Sequence, residues 1–385
     1  MSFSFSFAGD DIEDDTSAPQ GAPSAPLLTN SVSASSAFPV QGKPLLPPVH
    51  HDLGHLLSSL PSKIAYSLLD VDLDGKGSIQ IPRRELWDVR LQLMAEEGGD
   101  GNGDGDEVEP GLGSHDVKTG IYEGGFKSWE SSVDLVKVLA AEDFPGNLTE
   151  GSYRIMELGC GTALPSLALF QWALSKRALM QKDLEQDQTS LYLTLADYNP
   201  SVLQLVTLPN FLLAWALHQQ QHDELLKEAL STTQGELEGE LEITEHVVES
   251  FKAFLDSSKI SLCFISGGWS PEFVDLVNSS SASLPSGTGG DVSPQKTLIM
   301  GAETIYSPFA LSSFTETLLS VLGQERDAQP SRQAVAIVAA KRLYFGVGGS
   351  LDDFVDKIRN LGAVVNMVRE ETEGVRRGVV KCMLP

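Results

Sequence analysis

The run MELGCGTALPSL, from Met156 to Leu167, decides the fold of this chain. An apolar strand, YRIMEL, leads directly into the turn Gly159-Cys160-Gly161, and a helix is predicted to begin near Ala163. A glycine-rich turn between a strand and a helix is typical of proteins that hold a nucleotide-like ligand at the strand's carboxyl end. The structural alternative is that these glycines only form a tight connection.

The residues around this turn discriminate between two ligands. The dinucleotide fingerprint G-x-G-x-x-G is incomplete, because Leu164 replaces its third glycine, and Glu157 precedes the first. A carboxylate there repels a pyrophosphate and attracts the ammonium group of a methionine moiety. The second strand ends at Asp197, which can accept hydrogen bonds from both ribose hydroxyls. Its separation from Gly161 is unusually long, which a polar insert over 176–190 explains. Together these residues predict S-adenosylmethionine and exclude NAD.

From about Tyr153 onward, short β-like segments alternate with helical ones, which predicts an α/β fold with a doubly wound, mostly parallel, seven-stranded sheet. The tract from His218 to Gly239 is interpreted as a surface helix and loop insertion. The strand candidates are YRIMEL, LYLTLAD, ISLCFI, KTLIMG, AVAIVAA, AVVNMV and GVVKCML.

Composition divides the 385 residues into three parts. Residues 1–49 are rich in Ser, Pro and acidic groups and are expected to be disordered. Residues 50–150 form an N-terminal extension packed on the sheet. In it KIAYSLLDV predicts a strand, RRELWDVRLQLMAEE a helix or long strand, and 98–113 a flexible acidic loop. Residues 151–385 form the Rossmann-like domain.

No metal site is predicted. Two stretches, starting at Asp72 and Asp100, resemble calcium loops. The twelfth position, where a bidentate Glu belongs, is Arg83 in the first and Gly111 in the second. The three cysteines are far apart and form no CxxC pair, so neither zinc nor a disulfide framework is supported.

The formal net charge of −26 argues against binding to a phosphate backbone. A basic protein is the easier partner, and the alternative is that the acidic charge only keeps the chain soluble. We find no signal-peptide pattern and expect no membrane span. A monomer in a reducing compartment, the cytoplasm and nucleus, is the expectation.

Several longer motifs resemble a known family, the seven-strand protein-histidine N-methyltransferases, over nearly the whole chain. They are MSFSF, IPRRELWDVRLQLMAEE, TGIYEGGFKSWESSVDLV, MELGCGTALPSL, ADYNPSVLQLVTLPN, FISGGWS, GAETIYSP and KRLYFGVGGS. The segments YEGGFKSWE, VTLPN and YFGVGG are the most specific. The resemblance implies a class I methyltransferase sheet and S-adenosylmethionine as methyl donor.

The resemblance also assigns roles to site residues. Trp129 lines the cofactor site and Trp269 covers its adenine side, whereas the alternative for each is a packing role. Glu303 and Tyr306 match an acid-x-x-aromatic motif, in which Glu303 orients or deprotonates the acceptor ring and Tyr306 walls it in. The alternative for Glu303 is a carboxylate at the start of the helix after Pro308. The predicted cofactor-binding residues are Trp129, Glu157, Gly159, Cys160, Gly161, Asp197, Asn199, Gly268, Trp269 and Ala302.

The implied reaction is methylation of the distal (tele) nitrogen of a histidine in a protein of the large ribosomal subunit. Neutral imidazole, with a pKa near 6.5, is nucleophilic at pH 7, so orientation is the enzyme's main task. Three other interpretations stay open. They are a lysine-directed protein methyltransferase, a small-molecule methyltransferase, and a non-catalytic ribosome-assembly protein that retains the cofactor pocket.

Overall fold

All seven predicted strands lie in one large sheet of the computed structural model. The structure describes residues 44–97, 125–148, 151–180, 189–232, 237–282, 296–328, 333–346 and 348–385. The predictions for residues 1–43 and for the acidic loop 98–113 fall outside these ranges. The strands are β1 (Val49–His51), β2 (Lys63–Asp72), β3 (Ser78–Arg84), β4 (Tyr153–Leu158), β5 (Leu191–Asp197), β6 (Leu230–Thr232), β7 (Glu238–Glu242), β8 (Ile260–Ser266), β9 (Lys296–Ala302), β10 (Gln333–Lys341), β11 (Val364–Glu371) and β12 (Arg377–Met383).

The large sheet has the order β1-β8-β5-β4-β9-β10-β12-β11. Strands β8, β5, β4, β9 and β10 are parallel, and β12 runs antiparallel between β10 and β11. The strand order reverses between β4 and β9, which is where a doubly wound sheet opens a crevice for a ligand. This topology is that of class I methyltransferases, as predicted.

The sheet has eight strands and not the predicted seven. The additional strand β1 pairs antiparallel with β8 at the sheet edge, with His50 opposite Ile265. Residues 44–49 are therefore ordered against the sheet, although they belong to the segment predicted to be disordered. Its sequence, VHH, is too short to show an alternation of apolar and polar side chains, so no pattern in the sequence predicts this strand.

A second sheet has the order β3-β2-β7-β6 and is wholly antiparallel. Strands β2 and β3 come from the N-terminal extension, whereas β6 and β7 come from the tract between β5 and β8. The prediction that His218–Gly239 forms only a surface helix and loop is therefore wrong for its second half. The two distant segments of chain complete one sheet.

Helices cover both faces of the large sheet. Along β4 the side chains alternate, with Ile155 in the core on one face and Met156 in the core on the other. Helices α3, α5, α7 and α9 pack on the first face, and α10, α11 and α12 pack on the second. The helices are α1 (Leu53–Ser58), α2 (Leu86–Glu97), α3 (Glu130–Ala141), α4 (Phe144–Asn147), α5 (Leu164–Met180), α6 (Pro200–Val202), α7 (Leu208–Gln219), α8 (Glu224–Ala229), α9 (Glu245–Ser257), α10 (Pro271–Ala282), α11 (Pro308–Ala328) and α12 (Leu351–Asn360).

The first calcium-like loop is the hairpin turn between β2 and β3. The Lys76 ammonium donates to the carbonyls of Ala140 and Ala141 at the C-terminus of α3. Asp74 pairs with Lys137 and with Arg369 on β11. These acidic and basic side chains attach the second sheet to the first, and the described residues contain no group of three or more metal-ligating side chains.

One helical stretch, 200–219, is long and apolar enough to cross a membrane by length and composition. It comprises α6, a π-helical turn over Leu203–Thr207, and α7. The sequence was not expected to contain an apolar run of this length. In the structure 78% of its most apolar window is buried, as in the core helix of a globular domain.

Candidate active site

The backbone of the glycine turn is held by the neighbouring strand β5. Gly159 and Cys160 both donate their N–H groups to the carbonyl of Ala196, at 2.8 and 2.9 Å. Gly161 donates to Asp197 Oδ2 at 3.0 Å. A dinucleotide turn directs such N–H groups at the pyrophosphate, and here all three are already used inside the protein. The geometry independently disfavours a phosphate ligand.

Two glycines are required by crowding as well as by backbone conformation. Gly159 has φ +70°, and a Cβ there would lie 2.6 Å from the Thr304 methyl group and 3.6 Å from the Trp269 ring. Gly161 has φ +52°, and its Cβ would lie 3.0 Å from the Gly125 carbonyl oxygen. The turn is thus in contact with the segment after β9, with Trp269 after β8, and with the segment before α3.

Asp197 organises the end of β5. Its Oδ1 accepts the N–H of Asn199 at 3.1 Å, while Oδ2 holds Gly161. Burial raises the pKa of this carboxyl to about 6, and the backbone hydrogen bonds oppose that rise. Asn199 is also occupied, because its side chain accepts the N–H of Ser201 and caps α6. Contact of either residue with a cofactor stays a prediction.

Glu157 lies beneath the turn and is only 2% exposed. Its Oε2 accepts the N–H of Ser166 at 3.0 Å, in the first turn of α5, where helix N–H groups lack partners of their own. Burial raises the pKa of Glu157 to about 8, and the nearby Asp197 charge adds to the rise. Its predicted attraction for an ammonium group is not tested by these contacts.

The Glu157→Gln variant should change how stability depends on pH. An unfolded glutamic acid has a pKa near 4.3, whereas the folded value is about 8, so the native state retains a proton that the unfolded state loses. The contribution of Glu157 to stability is therefore present below about pH 4 and is lost as pH rises to about 8. Relative to wild type, the variant should gain stability between pH 5 and 8 in urea unfolding. Parallel pH curves would contradict the assignment.

The motif VTLPN supports the turn from the π-helical segment. Thr207 Oγ1 donates to the carbonyl of Gly161 at 2.6 Å. Asn210, fully buried, donates to the Thr162 carbonyl at 3.0 Å and accepts the Arg84 N–H at 2.7 Å. Pro209 has no N–H to donate to the carbonyl of Leu205, four residues earlier. The Arg84 guanidinium donates to that carbonyl instead. The motifs IPRRE and VTLPN are therefore hydrogen-bonded to each other, and VTLPN is hydrogen-bonded to the glycine turn and to Thr162 after it.

The Asn210→Leu variant removes the two buried hydrogen bonds that Asn210 makes, with the Arg84 N–H and with the Thr162 carbonyl. The loss of a hydrogen-bond partner by a buried polar group costs about 1–3 kcal/mol. We expect the free energy of unfolding to fall by about 2–5 kcal/mol, with weaker binding of S-adenosylhomocysteine in calorimetry. Asn147→Leu, at a half-buried asparagine in α4, is the control and should change little. An Asn210 variant as stable as this control would exclude the bridging role.

An N-terminal strap, residues 45–48, crosses the ends of β5 and β8. Gly268 donates its N–H to the Leu46 carbonyl at 2.8 Å, and the Leu46 N–H donates to the Tyr198 hydroxyl at 3.1 Å. A Cβ on Gly267 would lie 2.4 Å from the Pro47 carbonyl oxygen, and one on Gly268 would lie 2.7 Å from the Leu45 Cβ. Because the two glycines of FISGGWS have no side chains, the N-terminal strap can lie this close to them.

Glu303, after β9, is the centre of a polar cluster. It has φ +58°, and its carboxylate accepts hydrogen bonds from the hydroxyls of Ser131, in α3, and Tyr344, the latter at 2.6 Å. Burial raises the pKa of Glu303, which the charge of Lys341 and the two hydroxyls oppose. Helix α11 is capped by Ser307, whose hydroxyl accepts the Ala310 N–H. Ser307, and not Glu303, therefore caps α11, and the role of Glu303 stays a prediction.

Aromatic side chains enclose the Lys341 ammonium beside this cluster. It lies 5.0 Å from the ring centroid of Trp129 and 5.6 Å from that of Tyr344. Tyr306 is half-buried, and its carbonyl accepts the Gly349 N–H. A Cβ on Gly349 would lie 2.1 Å from the Ile305 carbonyl oxygen, so YFGVGG and ETIY pack backbone to backbone.

The structure brings most predicted site residues to the carboxyl edge of the sheet. Trp269 packs on Phe314 at 5.4 Å and also lies beside Gly159, while Ala302 is half-buried at the end of β9. The Cys160 side chain is 6% exposed within the core, where burial raises the pKa of its thiol, so no side-chain contact with a ligand is indicated. Seven residues that contact the turn, the Glu303 cluster or the ends of β5 and β8 were not predicted from the sequence. They are Leu45, Leu46, Ser131, Thr207, Asn210, Lys341 and Tyr344.

The site residues fit adenosylmethionine. The carboxyl groups of Glu157 and Asp197 lie at the turn, and the Asp197 carboxyl, with a pKa of about 6, is mostly ionised at pH 7, which suits a ligand that carries a sulfonium and an ammonium. The Thr304 hydroxyl, adjacent to the turn, is buried and has no hydrogen-bond partner within the described residues. The strongest sequence signals for the missed residues were the motifs VTLPN and YFGVGG.

Solved structures similar to this chain are methyltransferases of low sequence identity. Human methyltransferase-like protein 13 in complex with SAH is 15% identical, with a TM-score of 0.30, covering 67% of this chain and 83% of that one. The ribosomal protein L11 methylase from Lactobacillus delbrueckii subsp. bulgaricus is 9% identical, with a TM-score of 0.31, covering 82% and 99%. No family model matches the chain.

Curated relatives match the sequence over most of its length. Histidine protein methyltransferase 1 of Saccharomyces cerevisiae is 33% identical over 398 residues, covering 99% of this chain and 98% of the relative. Histidine protein methyltransferase 1 of Schizosaccharomyces pombe is 32% identical, covering 85% and 83%. The glycine turn, the Glu303 cluster and this identity together show that the chain belongs to the histidine protein methyltransferase family and is a protein-histidine methyltransferase.

Proposed function

We propose that the protein transfers a methyl group from S-adenosylmethionine to the distal nitrogen of a histidine in a basic protein of the large ribosomal subunit. The bound cofactor supplies an electrophilic methyl group on a sulfonium. The glycine turn and Asp197 would hold it, with Trp269 and the strap at the adenine side. The observation that carries the proposal is the contact between the turn at Gly159 and the segment Glu303–Thr304.

Glu303 is suited to orient an acceptor imidazole. Each carboxylate oxygen can accept two hydrogen bonds, and Ser131 and Tyr344 use one on each. The half-buried Glu303 therefore retains an acceptor site for the N–H of a neutral imidazole. If Glu303 accepts from the proximal nitrogen, the distal nitrogen presents its lone pair to the methyl group. No strong base is needed, because neutral imidazole is the common form at pH 7.

Charge supports a basic substrate. At a net charge of −26 the enzyme attracts positively charged proteins over about a Debye length, roughly 8–10 Å at physiological salt. Ribosomal proteins are strongly basic, so we expect an association rate that falls steeply as salt rises. A rate independent of salt would leave electrostatic steering without support.

The test is labelling of the natural acceptor. Purified enzyme and methyl-labelled S-adenosylmethionine are incubated with an extract from cells that lack this activity, and the labelled protein is isolated. The expected product is a histidine methylated on its distal nitrogen, in a large-subunit ribosomal protein. The proximal isomer would exclude the proposed orientation, and a labelled protein from outside the ribosome would exclude the proposed substrate. Glu303→Gln and Glu303→Ala with wild-type rates would remove Glu303 from the mechanism.

A further inference from the structure

The Lys341 ammonium has an unusual environment at the end of β10. It is half-buried and lies against the faces of Trp129 and Tyr344, at 5.0 and 5.6 Å from their centroids. Among the described residues, no carboxylate oxygen approaches it within 4.0 Å. The Lys341 backbone N–H donates to the Tyr344 hydroxyl at 3.3 Å, and that hydroxyl donates to Glu303, so the residue is linked to Glu303 through Tyr344. A positive charge is therefore held near Glu303 by aromatic contacts.

Other charges around Lys341 are paired or exposed. On the adjacent strand β12, Arg377 lies opposite Lys341 and binds Asp134 of α3 at 2.6 Å. Arg342, the next residue along the chain, pairs with Asp352 at 2.9 Å and with Glu370 at 3.3 Å.

Glu130, at the start of α3, is exposed to solvent, which screens its charge. The Arg377–Asp134 pair sums to zero, and the two carboxylates that pair with Arg342, those of Asp352 and Glu370, are about half exposed to solvent. Within the part of the chain that the structure describes, the charges inside the cluster are the Glu303 carboxylate and the Lys341 ammonium, and the Lys341 charge opposes the rise in the Glu303 pKa.

An acceptor site without net charge distinguishes between neutral and charged acceptor side chains. An unbalanced carboxylate would attract a cation, which is the form of lysine at pH 7 and of protonated histidine. With the Glu303 charge offset by a nearby cation, a neutral imidazole enters without a charge penalty, whereas an ammonium or imidazolium is disfavoured.

We propose that Lys341 is a specificity-determining residue. Its positive charge, held on Trp129 and Tyr344, offsets Glu303, selects neutral histidine as the acceptor and discriminates against lysine. This inference rests on the proposed position of the acceptor beside Glu303.

Lys341→Met tests the proposal, because methionine preserves the length of the side chain and its contact with the rings. The probe is an extract from cells that lack the activity, with labelled S-adenosylmethionine, assayed from pH 6 to 9. In wild type the rate should rise with pH as the acceptor histidine loses its proton. Removing the cation raises the pKa of the bound acceptor, so the midpoint should move up by about one pH unit and the rate at pH 7 should fall about threefold. Methyl-lysine should appear in hydrolysates of the labelled protein.

Matched variants separate charge from folding. Lys341→Arg keeps the charge and should retain the wild-type midpoint, while Lys341→Gln should behave like Lys341→Met. Lys357→Met, which removes a half-buried lysine of α12 bonded to Ser312, is the control. Calorimetric binding of S-adenosylhomocysteine should stay within twofold of wild type in all four. An unchanged midpoint without methyl-lysine in both neutral variants would overturn the inference. Absence of methylhistidine with wild type would overturn the acceptor's placement itself.

Discussion

Replacing Asp197 by alanine will weaken binding of the adenosyl cofactor roughly 100-fold or more. The change removes the carboxylate that accepts the N–H groups of Gly161 and Asn199. Hydrogen bonds to a charged group are worth about 1.5–3 kcal/mol each, and their loss releases the turn that must be preorganised for the ligand. A loss of about 3 kcal/mol corresponds to a factor of roughly 100 in the dissociation constant. Calorimetry with S-adenosylhomocysteine measures it directly.

Asp197→Asn sharpens the test, because it preserves shape. An amide offers a single acceptor oxygen, so one of the two N–H groups must face an NH2 group, and we expect an affinity between those of Asp197→Ala and wild type. Asp275→Ala, at an exposed position of α10, is the control for loss of an acidic charge. If Asp197→Ala bound the probe as tightly as this control does, Asp197 would have no role in the cofactor site.

Glu325→Ala will destabilise the protein more than any surface change, by about 3–5 kcal/mol. Glu325 of α11 is 3% exposed and binds the Arg154 guanidinium and, at 2.8 Å, the Thr297 hydroxyl. Arg154 also donates to the Val277 carbonyl at 2.8 Å. This cluster lies where β4 and β9 begin, at the edge opposite the active site. Removal of the glutamate takes the Glu325 carboxylate away from the buried Arg154 guanidinium, which urea unfolding will report.

The double variant Arg154→Met, Glu325→Leu distinguishes an isolated charge from lost packing. Replacing both charged partners by apolar side chains of similar volume is often neutral or stabilising. We therefore expect it to recover most of the stability lost in Glu325→Ala, although the Thr297 hydroxyl then lacks a partner. A double variant less stable than Glu325→Ala would contradict a cost arising from an unpaired charge.

Local sequence patterns predicted the large sheet well. The strands YRIMEL and LYLTLAD coincide with β4 and β5, and the helix after β4 begins at Leu164, one residue from its predicted start near Ala163. These segments are mostly apolar, which is typical of a buried parallel strand. The same patterns located Glu157 and Asp197 at strand ends, which share one edge in a parallel sheet, whereas Glu303 was assigned by the family resemblance.

Strands that depend on pairing between distant segments of the chain were not predicted from the sequence. Strand β1 is only three residues long, VHH, and its order depends on the backbone of β8 and on the space left by Gly267 and Gly268. Strands β6 and β7 are short, and β7 is rich in glutamate. Strand β7 pairs with β2, more than 160 residues away, and β6 pairs with β7. Such pairing is determined by tertiary contacts and not by propensity.

The sequence by itself determined the class I sheet, the glycine turn and the positions of the principal carboxylates, because each depends on residues adjacent in the chain. Only the tertiary structure decided what those carboxylates contact. Asp197 holds the turn, Glu157 holds the start of α5, and Glu303 is bound by side chains from α3 and from the loop after β10. Hydrogen bonds and charges act over a few ångströms, and folding brings together groups such as Ser131 and Tyr344 that the chain separates by more than 200 residues.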